Sequence, residues 1–345
     1  MRVPMRLRVS DKSLPLLATL SFCVLLYLTG AILFYQKNFL SFRVFELLFS
    51  GKAALGIVAV GMTFVILSGG IDLCVGSVVA LSTMIVASLI AKAAVHPLWA
   101  MAAALAAGAA IGLANGLVIQ FFELPPFLVT LATLFLARGI ALVMNHANRI
   151  ALDPEQYPFF DAFTSLKLRI GGTPIYFRSI VLLALVAIGS MIAGSTRFGR
   201  NVYAIGGNKS GAWLMGLPVG RTKVLVYTIS GFLAALAGVV ILSDSPAGDP
   251  TIAVGWELDA IAAVVIGGTL LSGGVGSVAG TLLGVLIIAL IEQLIFNSGR
   301  PEADARVANG LLLFAFIALQ KFLTALPRRR SAARRRTPPP SAARP

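Results

Sequence analysis

Charge is scarce in this sequence. Aspartate, glutamate, lysine and arginine together make up 12% of its 345 residues, about half the share of an ordinary soluble domain, too little to cover a water-facing surface. Histidine occurs twice, as His96 and His146, and cysteine twice, as Cys23 and Cys74. Neither histidine stands at ligand spacing from another His, Cys or carboxylate, so no metal site is expected. The cysteines lie in separate apolar stretches, read as small packing residues, and report no redox compartment. No hydrolytic or redox constellation is visible, so neither catalytic residues nor a cofactor is expected.

Apolar length, in contrast, is plentiful. The chain is 58% hydrophobic, and runs of about 20 apolar residues, enough to cross roughly 30 Å of hydrocarbon as helices, follow one another almost end to end. The expected fold is an all-α polytopic membrane protein of about ten transmembrane helices, some broken at glycine-rich points. The spans are expected near Leu14 to Tyr35, Ala53 to Leu67, Val75 to Ala91, Leu98 to Phe121, Phe127 to Asn145, Phe177 to Ser195, Val224 to Ser243, Leu258 to Leu271, Val278 to Phe296 and Val307 to Leu326. Residues 14–326 therefore form the membrane domain, between a short N-terminal segment (1–13) and a basic tail of disordered composition (327–345). The first run is longer than the apolar region of a signal peptide and lacks a small-residue cleavage pattern, so it is expected to stay as an anchor.

The net charge of +14 comes from 28 bases against 14 acids, with the bases clustered at the ends and between apolar runs. That distribution suits topology signals and contacts to anionic membrane lipid, not nucleic acid. The segment 196–223 contains Arg197, Arg200, Lys209, Arg221 and Lys223 without any acid, which places it in the cytoplasm by the positive-inside rule. Six expected spans precede it and four follow, so both termini are expected in the cytoplasm. Lys37, Arg43 and Lys52, partly offset by Glu46, run against this bias, which is summed over loops and is no prohibition. The loop 146–176 falls on the side opposite the cytoplasm, as a solvated connector or a docking surface.

Glycine-rich stretches carry the remaining signal. "GGNKSG" around Lys209 has Asn208 where a phosphate loop needs glycine, and "SGGVGSVAG" from Ser272 lacks dinucleotide spacing. Neither is expected to bind a nucleotide. "SGGIDLCVGS" at Ser68 and "SGGVGS" at Ser272 resemble one another, each lying between two apolar runs. Such pairs suit broken helices, whose non-helical backbone survives at membrane depth only against protein or a water-filled cavity. Close helix packing is the alternative use of the same glycines. Asp72, Arg138, Glu257 and Asp259 lie in or beside apolar runs, where a central charge costs about 2.5–3.5 kcal/mol. With Ser68, Gly69, Gly70, Ser272, Gly273 and Gly274 they are candidates for the translocation pathway. The sequence equally allows a structural pairing of Arg138 with a carboxylate, and an interfacial position for Glu257 and Asp259.

The segments "AVGMTFVILSGGIDLCVGS", "STRFGRNVYAIGGNKSGAWLMGL" and "ELDAIAAVVIGGTLLSGGVGS" resemble, in this order, the signatures of permease subunits of bacterial ABC sugar importers of the ribose, xylose and arabinose class. The resemblance implies a second permease, identical or homologous, together with cytoplasmic ATPase subunits and a periplasmic sugar-binding protein. It also implies that Asn208 to Leu217 contains a coupling helix resting on the ATPase. Asn208 would cap that helix, Trp213, Leu214, Met215 and Gly216 would stand at its contact end, and Arg197, Arg200 and Lys209 would surround it. Trp213 and Met215 depart from the usual family pattern; this "LMG" variant is more similar to a permease of the galactofuranose importer. A separate reading of the intramembrane carboxylates is an ion-coupled secondary transporter using Asp72 or Glu292 as its ion site.

Overall fold

A computed structural model describes residues 14–153, 157–170, 173–301 and 303–318. The chain is an all-α multi-pass membrane protein. Its elements run α1 (Leu14–Leu33), α2 (Phe42–Gly51), α3 (Ala53–Leu67), α4 (Val75–Ala93), α5 (Pro97–Phe121), α6 (Pro126–Val143), β1 (Ile150–Ala151) and α7 (Pro158–Ser165). They continue with β2 (Lys167–Ile170), β3 (Thr173–Tyr176), α8 (Phe177–Ser195), α9 (Arg197–Gly207), α10 (Lys209–Leu214), α11 (Val219–Ile241), β4 (Ala247–Gly248), α12 (Trp256–Ile266) and α13 (Val278–Asn297). A last helix, α14, covers 303–318.

Among the described residues, seven helices are long and apolar enough to cross a membrane, or eight if the bent pair α2 and α3, angled at 56°, counts as one span. The sequence leads one to expect about ten. The eighth of those, Leu258 to Leu271, is realised only as α12, whose 11 residues reach about 16 Å at 1.5 Å per residue, half of a bilayer's hydrocarbon. Glycines at 267 and 268 stop it. The end of the tenth expected span, the N-terminal segment 1–13 and the tail 327–345 lie outside the described residues.

Burial sorts the helices by role. Every residue of α3 except Ala54 is buried, as befits a helix that is apolar all round and sits at the centre of a bundle. α1 instead turns Leu25, Leu28, Ile32 and Leu33 outward, and α6 does so with Phe135, Leu136 and Val143, which suits hydrocarbon. The closest pairing is α5 against α11: Gly108, Gly112 and Gly116 repeat every fourth residue along one face of α5. A Cβ on Gly116 would stand 2.8 Å from the Val224 Cα, so only glycine lets the backbones approach this closely. α12 lies antiparallel to α13, with Gly267 against Gly280 and Ala263 against Gly284.

The loop 146–176 is more structured than its composition suggests. β2 and β3 form an antiparallel hairpin with Lys167 opposite Tyr176, and β1 pairs with β4, Ile150 opposite Gly248. The second pairing ties this loop to the segment that descends from α11 toward α12.

Candidate functional site

Both glycine stretches interrupt helices. At the first, Ser68 closes α3 and Gly69 takes φ +81°, a conformation that costs glycine nothing. The chain then runs non-helically until α4 starts at Val75. Asp72 stands in this interruption, wholly buried. Its Oδ1 accepts from the Cys74 amide at 3.0 Å and from the Cys74 thiol at 2.9 Å, and its Oδ2 accepts from Ser230 Oγ of α11 at 2.7 Å. The network continues outward: Asn115 Nδ2 of α5 donates to Cys74 Sγ at 3.3 Å, and Thr133 Oγ1 of α6 donates to Asn115 Oδ1 at 2.6 Å. One carboxylate thus begins a chain of bonds joining α4, α5, α6 and α11.

The second interruption mirrors the first. α12 ends at Ile266, Gly268 has φ +90°, and Gly273 and Gly274 have φ +83° and +77°. Ser277 then caps α13, its Oγ accepting from the Gly280 amide at 3.0 Å. Of the candidate residues here, Ser272 is exposed and Gly273 buried. The two interruptions touch, because Gly274 N donates to the Leu67 carbonyl at 3.0 Å.

Arg138 does not hydrogen-bond to Asp72. From α6 its Nη1 donates to the Pro250 and Ile252 carbonyls, each at 2.8 Å, so it holds the non-helical segment that enters α12. Glu257 and Asp259 occupy the first turn of α12, where negative charge complements the helix dipole. The Glu257 carboxylate lies against Gly76 of α4: a Cβ there would stand 2.7 Å from Oε2. Arg138 is within electrostatic reach of both Glu257 and Asp249.

Three further carboxylates have partners that the sequence does not reveal. Asp249 Oδ1 accepts from Thr251 N at 2.8 Å and Thr251 Oγ1 at 2.7 Å, while Arg149 Nη2 pairs with its Oδ2 at 2.6 Å. Burial alone pushes the Asp249 carboxyl up, but the two Thr251 bonds and the Arg149 charge outweigh it and hold the group below its ordinary value of 3.8. Glu46, buried in α2, accepts from Tyr176 N at 3.1 Å and Ser179 Oγ at 2.8 Å, which satisfies donors at the start of α8. Glu292 is paired with Lys52 at 2.6 Å.

A separate group lies on α9 and α10. Thr196 caps α9, its Oγ1 accepting from the Gly199 amide at 3.1 Å. Asn208 ends α9 and caps α10, its Oδ1 accepting from the Gly211 amide at 2.9 Å. Gly216, at φ +74°, closes the turn after α10. Between these caps Trp213, Leu214 and Met215 are 69%, 76% and 71% exposed, three large apolar side chains in a row that the described residues leave largely uncovered. Arg197 and Arg200 of α9 are exposed as well, and exposed Lys209 opens α10. Gln120, Glu123, Lys209, Trp213, Leu214 and Val219 line a cleft of about 670 Å³ beside α10.

Comparison with known proteins places this architecture. Residues 45–318 match the family described as "Branched-chain amino acid transport system / permease component". The inner membrane ABC transporter permease protein YjfF of Escherichia coli (strain K12) is 44% identical over 321 residues, 92% of this chain and 95% of that protein. The fructose import permease protein FruG of Bifidobacterium longum (strain NCC 2705) is 38% identical over 92% of this chain and 94% of its own length. The ribose import permease protein RbsC of Bacillus subtilis (strain 168) is 40% identical over 77% and 81% respectively. No solved structure matches. The chain belongs to this family of transport-system permease components.

Proposed function

We propose that this family member is the membrane-spanning subunit of an ABC importer that moves a monosaccharide into the cytoplasm, driven by ATP hydrolysed on separate subunits. The relatives named for a substrate support a sugar: fructose, ribose and L-arabinose appear in their names, at 34–40% identity. The family description alone suggests branched-chain amino acids, but the near-full-length relatives weigh more. Among sugars, galactofuranose is the first to test, because the "LMG" variant at Leu214 to Gly216 resembles that importer's permease.

The observation that carries the reading is the exposed apolar run Trp213, Leu214 and Met215 at the end of a capped helix that opens on Lys209. Large apolar side chains left uncovered beside charged ones are the composition of a docking surface, and the ATPase subunit is the partner it fits. The proposed topology puts this end of the molecule, and both termini, in the cytoplasm. A second permease completes the membrane unit, and a periplasmic binding protein delivers the sugar. Closure of the ATPase subunits then displaces α10, and the interrupted helices change the side on which the pathway opens.

The experiment is to purify the tagged chain gently from its native membrane and identify its companions by mass spectrometry. An ATPase subunit and a permease partner are the expected companions. A chain that emerges alone, from membranes whose uptake of galactofuranose and ribose follows an ion gradient and ignores ATP, contradicts the proposal.

A further inference from the structure

Three segments far apart in sequence meet at a point made almost wholly of backbone. The end of α3 and the second interruption are joined by the bond from Gly274 N to the Leu67 carbonyl. Gly206, in the last turn of α9, closes the third side. A Cβ on Gly206 would overlap the Leu67 carbonyl oxygen and would stand 2.6 Å from Gly274 N and 2.9 Å from Leu67 C. Gly273 is as tightly enclosed: a Cβ there would stand 2.9 Å from Gly69 N and 3.1 Å from the Gly206 Cα. A Cβ on Gly274 would stand 2.7 Å from the Cα and N of Gly207. From the side, the Tyr203 hydroxyl of α9 donates to the Gly276 carbonyl at 2.9 Å.

This joint has no slack toward α10. Gly207 is followed directly by Asn208, which ends α9 and caps α10, so the exposed helix begins two residues beyond the contact. Close-packed backbone transmits displacement because it cannot be compressed. The glycines at 69, 273 and 274, all at positive φ, supply the neighbouring torsions that can turn.

We infer that Gly206 is a positioning residue for transport: through it α10 sets the angle of both interrupted helices at once, with Tyr203 keeping α9 in register on the second. The inference deepens the importer reading and rests on it. A single contact that touches both interruptions makes them move together, since one displacement of α9 changes the seat of Leu67 and of Gly273–Gly274. It is a two-state element that both the ATPase surface and the pathway bias.

The test uses the importer complex isolated from native membranes with its ATPase subunits. Val275, 46% exposed in the second interruption, is replaced by cysteine; Cys23 and Cys74 are buried, so a water-soluble maleimide reads the new thiol. Its labelling rate is compared with and without ATP and vanadate. The parent is expected to change by about fivefold or more, the low end of ordinary coupling between sites. In Gly206→Ala the ATPase subunits stay bound while the change falls to about twofold or less, and Tyr203→Phe gives an intermediate loss. Parental change in both variants overturns the inference. If Gly206→Ala yields no complex, Tyr203→Phe decides alone, and an undiminished change in it overturns the inference. A parent without ATPase subunits and without any response contradicts the importer reading itself.

Discussion

Ser230 Oγ donates to Asp72 Oδ2 at 2.7 Å across 158 residues of sequence. The bond fixes the non-helical chain between α3 and α4 to the middle of α11. A carboxylate in an apolar segment is costly unless it is bonded, and here the interruption that holds Asp72 also supplies its own partner, the Cys74 amide. Ser230→Ala removes the one hydroxyl that reaches the other oxygen. The prediction is a loss of about 1–3 kcal/mol, read as a lower thermal midpoint of the purified complex. An unchanged midpoint would show that Asp72 is held without α11.

Arg138 gives the second prediction. In Arg138→Ala the Pro250 and Ile252 carbonyls lose a donor, at about 1–3 kcal/mol for each group left unsatisfied. Uptake and thermal stability should both fall, and Arg138→Lys should restore only part of each, because the shorter lysine side chain does not carry its ammonium to the place of Nη1, which serves both carbonyls. Full recovery with lysine would mean that charge alone matters at this position.

Asp249 gives a prediction in pH. Its native carboxyl titrates below the ordinary value, so the unfolded state binds more protons as pH falls. The stability it contributes is complete above the unfolded value of about 4 and is lost as pH drops through the lower native value. Melting midpoints measured between about pH 6 and pH 3 should therefore fall less steeply in Asp249→Asn than in the parent. Parallel curves would remove Asp249 from the account.

How far this was legible in the sequence differs between residues. The interruptions at Ser68–Gly70 and Ser272–Gly274 were readable from two similar glycine pairs each lying between apolar runs, although close helix packing uses the same residue. The Asn208 cap was also readable as a local pattern. The partner of Asp72 was not, since a lone serine in α11 looks like any other small residue until packing brings it close. Arg138 invited a carboxylate partner by charge alone, whereas its hydrogen bonds go to two carbonyls exposed by a non-helical segment that only the fold creates. The length of the eighth expected span was not readable for a related reason: α12 is apolar enough for a full span, and hydropathy does not reveal that Gly267 and Gly268 end it half-way.

The α10 surface yields the fourth prediction. Trp213 is 69% exposed, so Trp213→Ala should leave insertion and thermal stability unchanged while ATP-driven uptake falls several-fold, as expected when an anchoring aromatic is removed from an interface. Unchanged uptake per ATP hydrolysed would exclude Trp213 as a contact.

The most direct measurement places a photo-crosslinking phenylalanine analogue at position 213 of the full chain in its native membrane, then identifies what it captures. The account predicts a cross-link to a nucleotide-hydrolysing subunit, lost when that subunit is deleted. Capture of lipid alone would contradict it, and would show that α10 rests on the membrane and not on an engine.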